Sequence, residues 1–369
     1  MRILSTLVPS LCLFAPLAAA GYTLKDDYGT SDSFFDKFNF FTGKDPTNGY
    51  VSYVDRSTAQ SGGLIKSGSS VYVGVDTVNT ASDPGRSSVR LESTNTYDHG
   101  LVILDLNHMP GSVCGSWPAF WMLGSNWPNN GEIDIIEGVN DQTSNQFTLH
   151  TGDGCSIDSS GFSGTVQTSN CYVEASGQSE NAGCAITSSS DSSYGGGFNK
   201  NGGGVYATEW TGDAISVWVF SNSSVPSDIT SGTPNPLGWG TPSAKFAGSC
   251  DIDSHFKELQ IVFDITFCGD WAGETWSSGS CASKDKSCKS YVQNNPSAFA
   301  ESYWGINSLK VYQDSSSSKR DIHSHAAAHI RQGAGEPISY PNVGRNSSNV
   351  RFVARPTWKH RRDRYKHGQ

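Results

Sequence analysis

Hydrophobic and polar positions alternate along most of this chain in short runs, and the period is two. Val71-Tyr72-Val73-Gly74-Val75, Ser88-Val89-Arg90-Leu91, Leu101 to Leu106, Ile215 to Phe220, Leu259 to Phe267 and Ile306 to Tyr312 are rich in β-branched or aromatic residues, and Gly, Asn or Pro separates them. Segments of this kind predict strands with one buried face. The body has no long helical periodicity. Many short strands between turn signals predict an all-β antiparallel sandwich. With no internal linker or repeat to divide it, the body from residue 21 to 314 is expected to be one large domain.

The two ends depart from this pattern. Residues 1–20 combine Arg2, an apolar run from Leu7 to Leu17 and Ala18-Ala19-Ala20. That order predicts a secretory signal peptide with an A-x-A cleavage site, too short to span a bilayer. Residues 315–369 carry eleven Lys or Arg against three acids, whereas residues 21–314 carry fourteen against thirty-two. The basic tail lacks strand or helix periodicity and is expected to be disordered, either retained, trimmed at the dibasic Lys319-Arg320 or an artefact of the gene model. Its charged end argues against a lipid anchor. The acidic body argues against nucleic-acid binding. A soluble secreted or cell-wall monomer is the resulting expectation.

Cysteine usage agrees with export. Cys12 would leave with the signal, and Cys114, Cys155, Cys171, Cys184, Cys250, Cys268, Cys281 and Cys288 remain. An even count in an oxidising compartment predicts up to four disulfides, with connectivity open. Near neighbours are natural partners: Cys155 with Cys171 or Cys184, and Cys268 with Cys281 or Cys288. Zinc is disfavoured, since no paired C-x-x-C occurs. The Ser/Gly-rich stretch from Thr151 to Gly204 is long for a hairpin and holds three of these cysteines, which predicts a stapled loop over one end of a cleft. Asn222-Ser223-Ser224 is a glycosylation sequon.

One stretch carries the chemistry: Gly131-Glu132-Ile133-Asp134-Ile135-Ile136-Glu137-Gly138, after the turn-forming Pro128-Asn129-Asn130-Gly131. The isoleucines favour a strand, in which Glu132 and Asp134 share a face. Glu137 is five positions from Glu132 and would point the other way, unless a β-bulge between Asp134 and Glu137 restores the parity. An exposed acidic edge is the bland reading. Three like charges gathered on one mostly buried face need a use, either a cation site or a glycosidase pair.

The motif Glu132-Ile133-Asp134-Ile135-Ile136-Glu137, with Trp117-Pro118-Ala119-Phe120-Trp121 and Asn126-Trp127-Pro128-Asn129 upstream, resembles glycoside hydrolase family 16 and within it the fungal laminarinase-like endo-β-1,3(4)-glucanases. The resemblance runs from about Phe34 to Tyr312. It implies a β-jelly roll of two curved sheets with a concave substrate cleft, and retaining hydrolysis of β-1,3- or mixed-linkage glucan. By the same resemblance Glu132 matches the nucleophile, Glu137 the general acid and base, and Asp134 the carboxylate that assists them. Trp121 and Trp127 match cleft tryptophans, Trp271 a distal sugar-stacking position, His150 an active-site histidine and Asn48 a cleft-edge residue. Arg90 is read either as a ligand of sugar hydroxyls or a neighbouring carboxylate, or as an ordinary strand-surface arginine. Trp117 may be core. Tyr206 and Trp210 share strand parity, so if one faces the cleft both do.

No cofactor is implied, and nothing marks ligands for a metal. Gly-rich phosphate loops, a dinucleotide fingerprint and a nucleophile elbow are all missing from the sequence. Two rivals share the motif: a wall transglycosylase that uses the same covalent intermediate, and a glucan-binding protein without turnover. An acid–base pair of this kind implies a bell-shaped pH dependence on the acid side of neutrality.

Overall fold

A computed structural model describes residues 21–314. The signal-like segment and the basic tail lie outside the described residues. Two eight-stranded sheets face each other. In the first, the strands run in the order Ala244–Phe246, Ile215–Ser221, Gly204–Trp210, Gly100–His108, Tyr303–Asp314, Val71–Gly74 and Ile65–Lys66, with Tyr22–Asp27 also paired to Tyr303–Asp314. In the second the order is Thr165–Val166, Cys184–Thr187, Gln146–His150, Glu132–Glu137, Ser116–Gly124, Leu259–Phe267, Leu91–Tyr97 and Phe38–Phe40. Every pairing within these two sheets is antiparallel. This is the antiparallel sandwich that the alternation predicts and the β-jelly roll that the resemblance implies. No helix among the described residues is long and apolar enough to cross a membrane.

The core lies between the sheets and takes one side-chain row from each strand. Met122, Phe120, Ile133, Ile136, Phe147, Leu149, Ile261, Phe263 and Ile265 enter it from the second sheet, and Leu104, Tyr206, Trp210, Trp304 and Val311 from the first. Strand alternation therefore sends Trp117, Ala119, Trp121, Thr148, His150, Val262, Asp264 and Thr266 to the outer face of the second sheet. Tyr206 and Trp210 do share parity, but they face the core of the other sheet: both are buried, and Trp210 packs on Phe256 and His99. Their assignment to a substrate site is corrected on that ground.

The strand Glu132–Glu137 carries its bulge between Asp134 and Ile136–Glu137. Asp134 pairs with Thr148 and Trp121, while Glu137 pairs with Gln146 and Ala119, so two residues on this strand occupy one place in the ladder. A bulge strands backbone polar groups in the interior. Here the fully buried Asn145 satisfies both: its Nδ2 donates to the Ile135 carbonyl at 2.9 Å, and its Oδ1 accepts from the Glu137 N–H at 3.0 Å. Upstream, Gly131 has φ +76, and a Cβ there would lie 2.6 Å from the His255 carbonyl oxygen. Only glycine fits where the chain turns into the strand.

All eight body cysteines are paired, as Cys114–Cys281, Cys155–Cys250, Cys171–Cys184 and Cys268–Cys288. Cys155 thus bridges to a cysteine 95 residues away, not to a near neighbour, because Ser156 and Asp158 lie against the backbone of Ala247 and Ser249. The stretch 151–204 is less of a loop than expected, since Thr165–Val166 and Cys184–Thr187 extend the second sheet at its edge. Asn222 is exposed on a short 3-10 turn, so its side chain is accessible.

Asn145→Ala would leave one buried donor and one buried acceptor without partners, at roughly 1–3 kcal/mol each. We expect a lower melting temperature and faster amide exchange at Glu137, measured by calorimetry and hydrogen exchange. Unchanged melting would refute the clasp.

Candidate active site

Glu132, Asp134 and Glu137 share the outer face of the second sheet, and Asp134 and Glu137 are nonetheless buried. Outward residues with so little exposure lie on the floor of a recess. Ile133, Ile135 and Ile136 fill the core beneath them. His150 stands opposite Glu132 in the register, and its Nε2 lies 3.3 Å from Asp134 Oδ2. The Trp127 indole N–H donates to Glu132 Oε2, and the Trp117 indole N–H donates to Glu137 Oε1 at 2.8 Å. Trp117 is therefore a site residue and not a core one. The sequence signal was its parity with Trp121 in a strand beside the acidic one.

Electrostatics follow from crowding. Burial and Asp134 raise the Glu132 carboxyl to about 8, with His150 and the Trp127 N–H working the other way. Burial raises Asp134 as well, against its hydrogen bond with Glu132. Glu137 is pushed well above the usual carboxylate range by burial and by Asp134, against the Trp117 N–H and His150. Three carboxyls so close do not all ionise near neutrality.

A second polar layer lies beside the trio. Asp264 interrupts the apolar strand Leu259–Phe267 and is buried, and burial raises its carboxyl to about 7 although Arg90 pulls it down. Arg90 is buried between the rings of Phe41 and Trp121, with its guanidinium carbon 4.8 and 4.9 Å from their centroids. Its Nη2 is 2.9 Å from Glu92 Oε1, and its Nη1 is 3.9 Å from Asp264 Oδ2. The Tyr53 hydroxyl donates to Asp264 at 3.3 Å. Asp264 and Tyr53 escaped the sequence reading. The signal for Asp264 was a lone acid of outward parity in an otherwise apolar strand.

The rim lies further along. Trp271 is half-buried on the turn Gly269–Gly273, edge-on to Trp117 with ring centroids 5.7 Å apart. The exposed Asn48, at φ 58, donates from Nδ2 to both oxygens of Asp270. Cys268–Cys288 fixes the start of this turn. Among the described residues, the grouping able to hold a metal ion is Glu132, Asp134 and His150, whose ligand atoms lie within 4.8 Å of one another. One oxygen of Glu132 is already committed to Trp127, and His150 and Asp134 face each other.

Paired carboxyls on an aromatic-walled floor, set across one face of a two-sheet jelly roll, define the class as a glycoside-hydrolase type of β-sandwich. The chain belongs to glycoside hydrolase family 16, whose XgeA-like catalytic domain matches residues 38–312. It is 50% identical over 304 residues to an endo-1,3(4)-beta-glucanase of Arthroderma benhamiae, covering 81% of this chain and 66% of that protein. A probable endo-1,3(4)-beta-glucanase of Aspergillus niger is 47% identical over 343 residues, 90% of this chain but 45% of its own length. The chain thus spans from under half to about two-thirds of the length of these curated relatives. Among solved structures, an elongating family 16 beta-1,3-glucosyltransferase is 48% identical with TM-score 0.73, covering 79% of this chain and all of that one. Laminarinase 16A of Phanerochaete chrysosporium, solved with 6-O-glucosyl-laminaritriose in donor and acceptor sites, is 44% identical with TM-score 0.74, covering 80% of this chain and all of that one.

The raised Glu132 carboxyl has a consequence for stability. In the folded protein it keeps its proton up to about 8, whereas in the unfolded chain it releases it near 4.5. The stability that protonation confers is present below pH 4.5 and lost as pH rises through 8. Glu132→Gln should therefore melt like the wild type at pH 4 and above it at pH 8, by roughly 2–5 °C for a domain of this size. Melting curves across that range check it, and a pH-independent difference would contradict the burial of this charge.

Proposed function

We propose that the chain is an endo-glucanase that cleaves internal bonds of β-1,3- or mixed β-1,3/1,4-glucan with retention of configuration. The single observation that carries this reading is the bulged strand, which brings Glu132, Asp134 and Glu137 to one recessed face. The family and the glucanases it resembles support the substrate class.

In this reading Glu132 attacks the anomeric carbon while Glu137 gives its proton to the leaving glycosidic oxygen. The bond to the leaving sugar breaks and a glycosyl ester to Glu132 forms. Glu137, now a carboxylate, takes a proton from water; the hydroxide adds to the same carbon and releases Glu132 as its carboxylate. Burial and Asp134 push Glu137 well above the usual carboxylate range, which suits it to carry a proton as the acid. Asp134 raises both neighbours, and His150 offsets part of that repulsion. With Glu132 raised to about 8, the bell expected on the acid side of neutrality moves upward, its acid limb to about that value. Trp127, Trp271 and the rim residue Asn48 would meet the sugar faces and hydroxyls, with Trp121 and Arg90 as the floor between them.

A second reading is favoured by the similarity to the elongating glucosyltransferase. A sugar hydroxyl would replace water in the second step, and chains would lengthen. Four disulfides and an accessible Asn222 sequon support a secreted, glycosylated enzyme.

Parallel product profiling on laminarin, lichenan and a β-1,4-glucan tests the proposal. We expect internal cleavage of the first two, first-formed products of retained configuration by NMR, and a fall of at least about 10⁴-fold in Glu132→Gln with glucan binding kept. Reducing-sugar release by that variant at the wild-type rate would sink the nucleophile assignment, and products longer than the donor would favour transfer.

A further inference from the structure

Each of the two glutamates holds its own indole N–H, and the two come from different parts of the chain. Trp117 lies in the strand Ser116–Gly124 and donates to Glu137 Oε1 at 2.8 Å. Trp127 lies on the turn before the acidic strand and donates to Glu132 Oε2. An indole is a donor only and does not titrate, so its bond to a carboxylate is charge-assisted and stronger than its bond to the neutral acid.

The other groups around the pair act on both glutamates together. Asp134 lies between them on the same strand, and His150 faces all three from the neighbouring strand Gln146–His150. From the other side, Asp264 on Leu259–Phe267 repels Asp134 and is itself countered by Arg90 and Tyr53. Tyr194 is buried near Glu137, but its hydroxyl donates to the Gly138 carbonyl. Asn145 touches Glu137 at its backbone N–H and not at its carboxyl. Each indole, by contrast, is a neutral donor that acts on one glutamate alone, so the two carboxyls are set separately.

We propose that Trp117 and Trp127 are positioning residues that assign the two glutamates their separate roles. Resting on the reading of Glu132 as nucleophile and Glu137 as acid and base, the Trp127 N–H favours the carboxylate of Glu132 and so lowers the cost of ionising it for attack. The Trp117 N–H occupies Glu137 Oε1, which leaves the transferable proton on Oε2. It then binds the carboxylate that forms as that proton passes to the leaving oxygen. Trp271, edge-on to Trp117, keeps the donor in place. Both tryptophans would otherwise be taken for sugar platforms alone, and a platform needs only its ring face.

Trp117→Phe and Trp127→Phe keep an aromatic ring and remove the N–H. In kcat/KM against pH on a laminari-oligosaccharide, Trp127→Phe should raise the acid limb by roughly one pH unit and narrow the bell. Trp117→Phe should raise the basic limb by a similar amount, leave the acid limb in place, and lower kcat by about 10-fold or more. If a phenylalanine variant does not fold, β-(3-benzothienyl)alanine at the same position keeps the full ring shape without the N–H and should give the same shift. Limbs that stay in place, or limbs that move together in both variants, would overturn the proposal. Azide separates its failure from failure of the underlying roles. Azide should rescue Glu132→Ala to a glycosyl azide of inverted configuration and Glu137→Ala to one of retained configuration. With those products seen and the limbs unmoved, only the indole assignment falls; without them, the roles themselves fall.

Discussion

The amide of Asn145 closes the one irregularity on which the site depends. A regular strand from Glu132 to Glu137 would drive the last glutamate into the core, where an unpaired carboxyl costs several kcal/mol. The extra residue turns it outward, but at the expense of two buried backbone groups. Asn145 accepts from one and donates to the other, so the bulge leaves neither orphaned. The Asn145 N–H in turn donates to Ser193 Oγ, and the Ser193 hydroxyl to the Ser190 carbonyl. The chain of bonds runs from the acidic strand into the segment behind it, which is why the bulge is a fixed feature and not a slipped register.

The bulge solves the direction of Glu137 and creates an electrostatic problem. Three carboxyls are crowded on a recessed floor, with the buried Asp264 close behind. The fold answers in layers. Incomplete ionisation removes part of the charge, indole N–H groups bind the outer two carboxyls, and His150 faces Asp134. Arg90, held between two aromatic rings, sits between Glu92 and Asp264 and keeps the second layer from adding its full charge to the first. Its guanidinium is planar and stacks where an ammonium would not, so lysine is a poor replacement there.

Much of this was legible in the sequence for a physical reason. Strand periodicity is local, so the alternating runs and the five-residue interval from Glu132 to Glu137 state both the strands and the bulge. Membership of a particular sheet is not local. Tyr206 and Trp210 share a face as their spacing requires, yet that face is the core side of the opposite sheet, and no local pattern separates a core row from a cleft row when both are aromatic. Cys268–Cys288 is one of the near pairs expected, but the partner of Cys155 is misread for the same reason: Cys155 meets Cys250 because loops 95 residues apart are folded together. Asp264 was visible as a lone acid in an apolar strand, and its meaning depended on knowing that Leu259–Phe267 lies next to Ser116–Gly124.

The same locality explains why the tryptophans divide as they do. Trp117 and Trp121 leave one strand on one face four residues apart, with Ala119 between them beside Glu137. The small side chain leaves room for Glu137, and the two rings wall it on either side along the strand. Trp127 comes from the turn and reaches Glu132 from the end of the sheet. A carboxyl pair set up by titratable neighbours would drift with every ionisation nearby. A pair set up by indole donors, whose own protonation never changes, keeps its asymmetry while protons move between Glu137, sugar and water. In the proposed retaining reaction that constancy would serve Glu137, which would be acid in one step and base in the next.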